Sequence, residues 1–570
     1  MDTASKPQYD KEQELFILML TYRLQTKIVD FAIVNVNVLY ISEAFMANIG
    51  SVNSLQTTAF GGSLKQSEVK TAQNNLPLSD SFSKSTSIAD EELKASILKD
   101  LKSSDSRVLD EKTVAFPDNY GRVKHLALQL SNYAYGSIRS DMLNAYKVLF
   151  TEMEPDTKFT VVCGSAKDQK DVEKVIKDFN VPNPERIDFI KPEGLNLTVW
   201  ARDQMISMYF PDGDGSKTAL TNQSMLHDWH GDDEAVPQYI AAKHPSIVLD
   251  KERRIRTDGG EVVSNRGETF VGAFSIIATA KKLKELASKD SDFANQIKDY
   301  AEKEMGMEVK LSELENPLPY DMIPKKELSF DHEQPYFLAE NPLYKNERVK
   351  AGQATEGDMW IKVAKDLFER QFGQKVTPMG LDDPSTPRVE GPANDHLDMG
   401  LTPLDEGTMA VGDPSLAKRV FEQMTSERRK EVAALLSEAS GTRVMPEDLL
   451  GARGYPNQQQ DFNAYATSLE KGGYKVIRMP YAEPGWGTPN ISYNNCLMER
   501  FHKEDGTEVK RIFLPVYGIK ELDSLAISNY EKEGFEVRPM PLANIATRKG
   551  ALRCMSQWLV REQHNDKYNS

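Results

Sequence analysis

The stretch Lys158-Phe-Thr-Val-Val-Cys163, followed by Ser165 to Asn180 and then Ile187 to Ile190, constrains the chain more than any other. The first run is apolar and β-branched enough for a buried strand. Val172, Val175, Ile176 and Phe179 then recur at helical spacing, and Ser165 with Asp168 has the form of a capping pair. A strand, a helix and a strand in so short a span specify an α/β fold. The rhythm returns in Ser246 to Leu249 with a helix from about Ala280 to Glu304, and in a helix from Glu356 to Phe372 before the short strand Lys375 to Thr377. It returns again in a helix near Asp461 to Leu469 before Tyr474 to Met479. Its cleanest form is Arg511 to Pro515, a helix carrying Leu522, Leu525, Ala526 and Tyr530, and Phe535 to Arg538. The repetition lies in the alternation of elements rather than in the letters, and it predicts a quasi-symmetric α/β assembly.

Other stretches set provisional boundaries. Leu15 to Ile49 is apolar but interrupted by Arg23, Lys27, Asp30 and Glu43, which excludes a membrane span and leaves a helix followed by the alternating strand Val34 to Ile41. Residues 1–50 thus form an N-terminal helical and strand segment. Residues 51–120 are rich in Ser, Asn, Gln and Gly and read as a partly disordered linker with one short helix near Glu91 to Leu101. A helical pattern from Arg122 to Phe150 opens the main domain, 121–570, which carries inserts near 306–349 and 414–457.

The net charge of −16 argues against nucleic acid or an acidic membrane as partner, since both call for clustered Lys and Arg; it suits a cationic substrate. Three cysteines, Cys163, Cys496 and Cys554, are too few for a disulfide scaffold, and the N-terminus lacks a signal-peptide pattern. Both point to a reducing, cytoplasmic setting. Association with further copies of the chain stays open.

Four short motifs carry candidate chemistry, in the order Trp200-Ala-Arg-Asp203, Asp258-Gly-Gly-Glu261, Asp395-His-Leu-Asp398 and Leu552-Arg-Cys-Met555. Taken singly each has a structural explanation: an ion pair at a strand end, a Gly turn, a satisfied histidine, a buried thiol. His396 and Asp398, two apart on an extended segment, point to one side. Leu226-His-Asp-Trp-His-Gly-Asp-Asp233 has two histidines with acids nearby, but reads better as a loop and helix N-terminus than as a metal site. Trp486, in Glu483-Pro-Gly-Trp-Gly487, suits either a substrate loop or packing, and Cys163 and Cys496 suit packing.

Together, in that order, the four motifs resemble the guanidino-group-modifying superfamily, the pentein fold of arginine, agmatine and protein-arginine deiminases and of amidinotransferases. The resemblance spans roughly Leu128 to Glu562 and extends to Asn490-Ile-Ser-Tyr-Asn-Asn495 and Phe513-Leu-Pro-Val-Tyr-Gly518. It implies an α/β propeller of pseudo-fivefold repeated ββαβ units with a separate N-terminal extension. It also implies a deiminase that hydrolyses a guanidino group on peptidyl arginine, agmatine or arginine, with no cofactor and no metal. Cys554 would be the nucleophile, His396 the acid and base, and Asp258 its orienting partner. Asp203 and Asp398 would grip the guanidinium, with Arg202, Trp200 and Trp486 lining the substrate. Asp258 stands where many members have Glu, and the inserts are unlike the small agmatine enzymes; both bear on the substrate rather than the chemistry.

The chemistry agrees with this carry-over. A guanidinium is a planar cation with five donors, for which carboxylates are the natural bidentate partners. A thiol attacks only as thiolate, and a proton-transferring histidine needs a partner to orient it. Two alternatives share the fold: an amidinotransferase, which passes the amidino group to an amine, and a noncatalytic binding module, as in a ribosome-binding member.

Overall fold

The computed structural model describes residues 86–103, 107–108, 111–222, 230–252, 254–306, 356–380, 396–451, 458–485 and 487–562. The chain divides into two units, 1–83 and 84–570, and the description concerns the second. The expectations for 1–50, for 51–85, for residues 307–349 of the insert near 306–349 and for Trp486 lie outside the described residues.

Helix α1 (Thr86–Lys102) covers the short helix expected near Glu91. Strands β1 (Arg107–Val108) and β2 (Glu111–Lys112) pair with each other. The remaining strands form five sheets that share one connectivity. β3 (Val114–Ala115) belongs to the second sheet. The first combines β4 (Val123–Leu130), α2 (Gly136–Glu152), β5 (Lys158–Cys163), α3 (Ala166–Asp178) and β6 (Ile187–Ile190). The second adds to β3 the pair β7 (Met205–Tyr209) and β8 (Thr218–Asn222), α4 (Val236–Lys243) and β9 (Ile247–Asp250). The third has β10 (Val262–Asn265), β11 (Glu268–Gly272), α5 (Ala273–Ser288), α6 (Ser291–Met305), α7 (Glu356–Phe372) and β12 (Lys375–Met379). The fourth has β13 (Leu401–Asp405), β14 (Thr408–Asp413), α8 (Pro414–Gln423), α9 (Ser426–Ser440), α10 (Gln458–Lys471), β15 (Lys475–Ala482) and β16 (Ile491–Ser492). The fifth has β17 (Leu497–His502), β18 (Glu508–Val516), α11 (Lys520–Lys532) and β19 (Glu536–Pro541).

In each of the last four sheets an antiparallel pair leads through helix to a parallel strand: β7, β8, β9; β10, β11, β12; β13, β14, β15; β17, β18, β19. The first sheet obeys the same rule only because β20 (Ser556–Arg561), from the far end of the chain, pairs antiparallel with β4. That closure carries Cys554 to the first unit.

Several sequence expectations change for physical reasons. The helix expected from Arg122 begins at Gly136; Val123–Leu130 is instead a strand, flanked by β20 and β5 and buried almost throughout, which erases the period-two pattern. The single helix expected from Ala280 to Glu304 is two, because the Asp290 side chain accepts from Asp292 N and Phe293 N and starts a new helix. Thr198 to Asp203, expected as a strand end, is a turn, and β7 starts after it. Ser165 caps α3 as expected, its Oγ accepting from Asp168 N at 3.2 Å.

The interiors are apolar. Leu126, Leu128, Phe150, Phe159, Trp200 and Trp558 share one core with Cys554, and Ile97 and Leu101 of α1 pack with Ile276, Trp360 and Phe368 in another. Each such buried side chain contributes about 1.5–3 kcal/mol.

Candidate active site

Five polar residues stand a few positions before the first strand of their units: Asp203 before β7, Asp258 before β10, Asp398 before β13, Asn495 before β17 and Cys554 before β20. The same topological position in each unit therefore supplies one member of the site.

The glycines of Asp258-Gly-Gly-Glu261 have a steric reason. A Cβ on Gly259 would stand 2.0 Å from the Arg202 carbonyl oxygen, and one on Gly260 would stand 2.4 Å from His396 Nδ1. Only bare backbone lets this turn pass under the imidazole. His396 and Asp398 do not lie on an extended segment: Leu397–Met399 is a 3-10 turn, preceded by an extended His396. Both still converge on Cys554, through the turn rather than through strand alternation.

Cys554 is 2% exposed, Asp203 1%, and Asp258 and Asp398 are fully buried. The thiol donates to Asp398, at 3.6 Å from Oδ2 and 3.9 Å from Oδ1. His396 stands between two carboxylates, with Nδ1 3.9 Å from Asp203 Oδ1 and Nε2 3.5 Å from Asp258 Oδ2. Burial opposes the imidazolium, but Asp203, Asp258 and Cys554 outweigh it and hold His396 well above the ordinary histidine range. Burial, reinforced by Asp398, pushes the Cys554 thiol up to about 11, against the hydrogen bond from His396. Burial and Asp398 thus favour the neutral thiol, while the aspartates around His396 favour its imidazolium.

Asp398 is also tied to a cation of the chain itself. Arg553 Nη1 donates to Asp398 Oδ2 at 2.8 Å and Nε to Asp118 Oδ1 at 2.7 Å, while Nη2 donates to the Val262 carbonyl at 2.7 Å. Burial raises the Asp398 pKa, against Arg553 and His396. Arg202 stacks with its guanidinium 3.8 Å from the Trp558 ring centroid, and its backbone N donates to the Cys554 carbonyl at 3.1 Å. It supports the loop that carries Cys554. Trp200 is a core residue walling the loop: a Cβ on Gly550 would stand 2.6 Å from its ring.

Two further residues lie in stretches noted above, but the sequence assigns them no role. His230 Nε2 lies 3.1 Å from Asp203 Oδ2, in the segment weighed above as a metal site; desolvation opposes its charge, and Asp203 with Asp258 raises its pKa overall. Asn495 bonds to the Cys554 loop. Neither role was legible, because each depends on a partner far away in the chain.

His396, Asp398 and Cys554 offer ligand atoms within 4.8 Å of one another, enough to hold a divalent ion. An imidazolium has no free lone pair, so a metal would first have to displace a proton that two carboxylates hold in place.

No family model matches the chain, and no curated protein matches it. Among solved structures it is similar to the C. jejuni agmatine deiminase, with a TM-score of 0.44 and 12% identity over 80% of this chain and 99% of that one. The Enterococcus faecalis agmatine deiminase gives 0.42 and 12% over 78% and 96%. Pseudomonas aeruginosa DDAH complexed with citrulline gives 0.27 and 9% over 77% and 100%. These neighbours are enzymes of the pentein superfamily. With every TM-score below 0.5, the functional reading rests on the side chains described above.

Among the described residues no helix is long and apolar enough to cross a membrane.

Proposed function

We propose that the chain is a guanidino-group deiminase, a hydrolase of C–N bonds in linear amidines, acting on agmatine, arginine or peptidyl arginine. The observation that carries this reading is the buried thiol of Cys554 beside both Asp398 and His396, whose two ring nitrogens face Asp203 and Asp258. The five sheets would then surround a common axis as a pentein propeller that begins before residue 121, since α1, β3 and Asp118 are built into it. Three free cysteines suit a reducing, cytoplasmic setting.

A guanidinium entering the site hydrogen-bonds to Asp203 and to Asp398 Oδ1, since Oδ2 is held by Arg553. Its charge offsets the carboxylates that keep the thiol neutral, so the thiol proton leaves to water and thiolate forms. The sulfur attacks the guanidinium carbon, forming a C–S bond. His396 gives its proton to the departing nitrogen, the C–N bond breaks and ammonia leaves. The remaining cation is an S-alkylthiouronium. Neutral His396 next takes a proton from water, whose oxygen attacks the same carbon. The C–S bond breaks, thiolate returns, the surplus hydroxyl proton passes to solvent, where the released ammonia takes it up, and a ureido product is released.

Incubation with agmatine, arginine and an arginine peptide should release ammonia from at least one of them, and Cys554→Ala should release none. Undiminished ammonia release by folded Cys554→Ala would end this reading.

A further inference from the structure

The geometry points to Asn495 as the residue that fixes the nucleophile loop and donates a hydrogen bond to the reacting sulfur. Its side chain is fully buried directly before β17. Oδ1 accepts from three amides of one loop, Ala551 N at 3.1 Å, Arg553 N at 3.0 Å and Cys554 N at 3.2 Å. Nδ2 stands 3.1 Å from Cys554 Sγ and donates to it.

The orientation of this amide is determined by its neighbours. Rotating it by half a turn would set an NH2 group against three backbone N–H donors and an oxygen against the thiol sulfur, exchanging every bond for a repulsion. One short side chain thus performs two tasks. The oxygen gathers 551–554 into a tight loop, and the nitrogen marks where negative charge develops on Sγ. A donor aimed at sulfur favours thiolate over thiol, against the burial and the Asp398 carboxylate that favour the neutral form. Lys, Arg or His⁺ would supply a stronger donor but would compete with a cationic substrate for Asp203 and Asp398; a neutral amide does not. The Ser492-Tyr493-Asn494-Asn495 stretch therefore ends in a functional group rather than only in a strand.

The inference rests on Cys554 being the nucleophile, and its test needs no guanidino substrate. Asn495→Asp keeps the acceptor for the three amides, removes the donor and places a carboxylate against sulfur. Cys554 alkylation by iodoacetamide, read by peptide mass at fixed neutral pH, should slow about tenfold or more, one pKa unit being tenfold in thiolate. Its pH profile should shift upward. In the unaltered protein the amides of Ala551, Arg553 and Cys554 should exchange hydrogen slowly, which checks the loop clamp even if the variant does not fold. An alkylation rate within about twofold of the unaltered protein, a Cys554 that the reagent does not modify in the unaltered protein, or fast exchange of the three amides would overturn the inference. Loss of all guanidino activity with the alkylation contrast intact would remove the proposed function and leave this role standing.

Discussion

Two clusters meet at the Cys554 thiol. The histidine side holds Asp203, His230, His396 and Asp258, and the arginine side holds Asp398, tied to Arg553, with Asp118 on the same guanidinium and Arg202 stacked on Trp558. Both sides are buried and both pair carboxylates with cations. They differ in whether the cation can give up its proton. Histidine titrates near physiological pH, whereas an arginine keeps its charge. The first side can therefore move protons during a reaction. The second can only hold charge and geometry, which in the proposed reaction leaves proton transfer to His396 and anchoring to Asp398.

This contrast can be broken from either side. On the histidine side, His396→Gln should lower kcat by about 10²–10⁴-fold, the usual contribution of a general acid and base, with a circular dichroism spectrum like that of the unaltered protein. Unchanged kcat would remove the histidine side from the chemistry. Because His396 is held above the ordinary range, the unaltered enzyme should keep its acid at neutral pH, and the limb set by loss of that acid should lie on the alkaline side. The acid limb should follow Cys554 ionisation.

On the arginine side, the main loss should be of stability. Arg553→Ala leaves Asp398 and Asp118 buried without their cation, which costs about 3–5 kcal/mol, read as a shift of the denaturant midpoint. A shift no larger than that of a surface substitution would show that this pair does not anchor the site.

His230→Gln sharpens the comparison within the histidine side. His230 bonds Asp203 but is not placed against the thiol, so it should orient a carboxylate rather than transfer a proton. The expected loss is about tenfold in kcat/KM, close to one charged hydrogen bond, with the alkaline limb of the pH profile unmoved. A moved alkaline limb would make His230, not His396, the titrating acid.

The smallest effect concerns Asp233, behind this row. Burial raises its pKa to about 7, against bonds from Thr198 and Gln129. The unfolded carboxyl titrates near about 3.9, so the folded chain holds this proton more tightly. Its stabilising contribution is complete below that value and is lost as pH rises through about 7. Asp233→Asn should therefore flatten the fall of stability between these pH values, seen in melting temperatures across the range. A parallel profile would contradict the shift.

Much of this was legible in the sequence because it is local. The β-α-β rhythm, the Ser165 cap and the spacing of the four motifs need no distant partner. What was not legible depends on contacts across the chain. Val123–Leu130 looked helical because a strand buried between β20 and β5 shows no alternation. The break at Asp290 was hidden inside a continuous apolar period. Asn495 and His230 stand in stretches that draw notice, but neither role is readable there; the first acquires its role from loop 551–554 and the second from Asp203. Arg553 was read only as a neighbour of Cys554, although its guanidinium bridges two buried aspartates.

The central claim is covalent chemistry at Cys554. Acid-quenching the protein during turnover of the best guanidino substrate, then measuring peptide masses, tests it most directly. The account predicts an S-alkylthiouronium adduct on the peptide containing Cys554, absent in Cys554→Ala. Turnover that continues in Cys554→Ala, or proceeds with no adduct at any quench time, would contradict it.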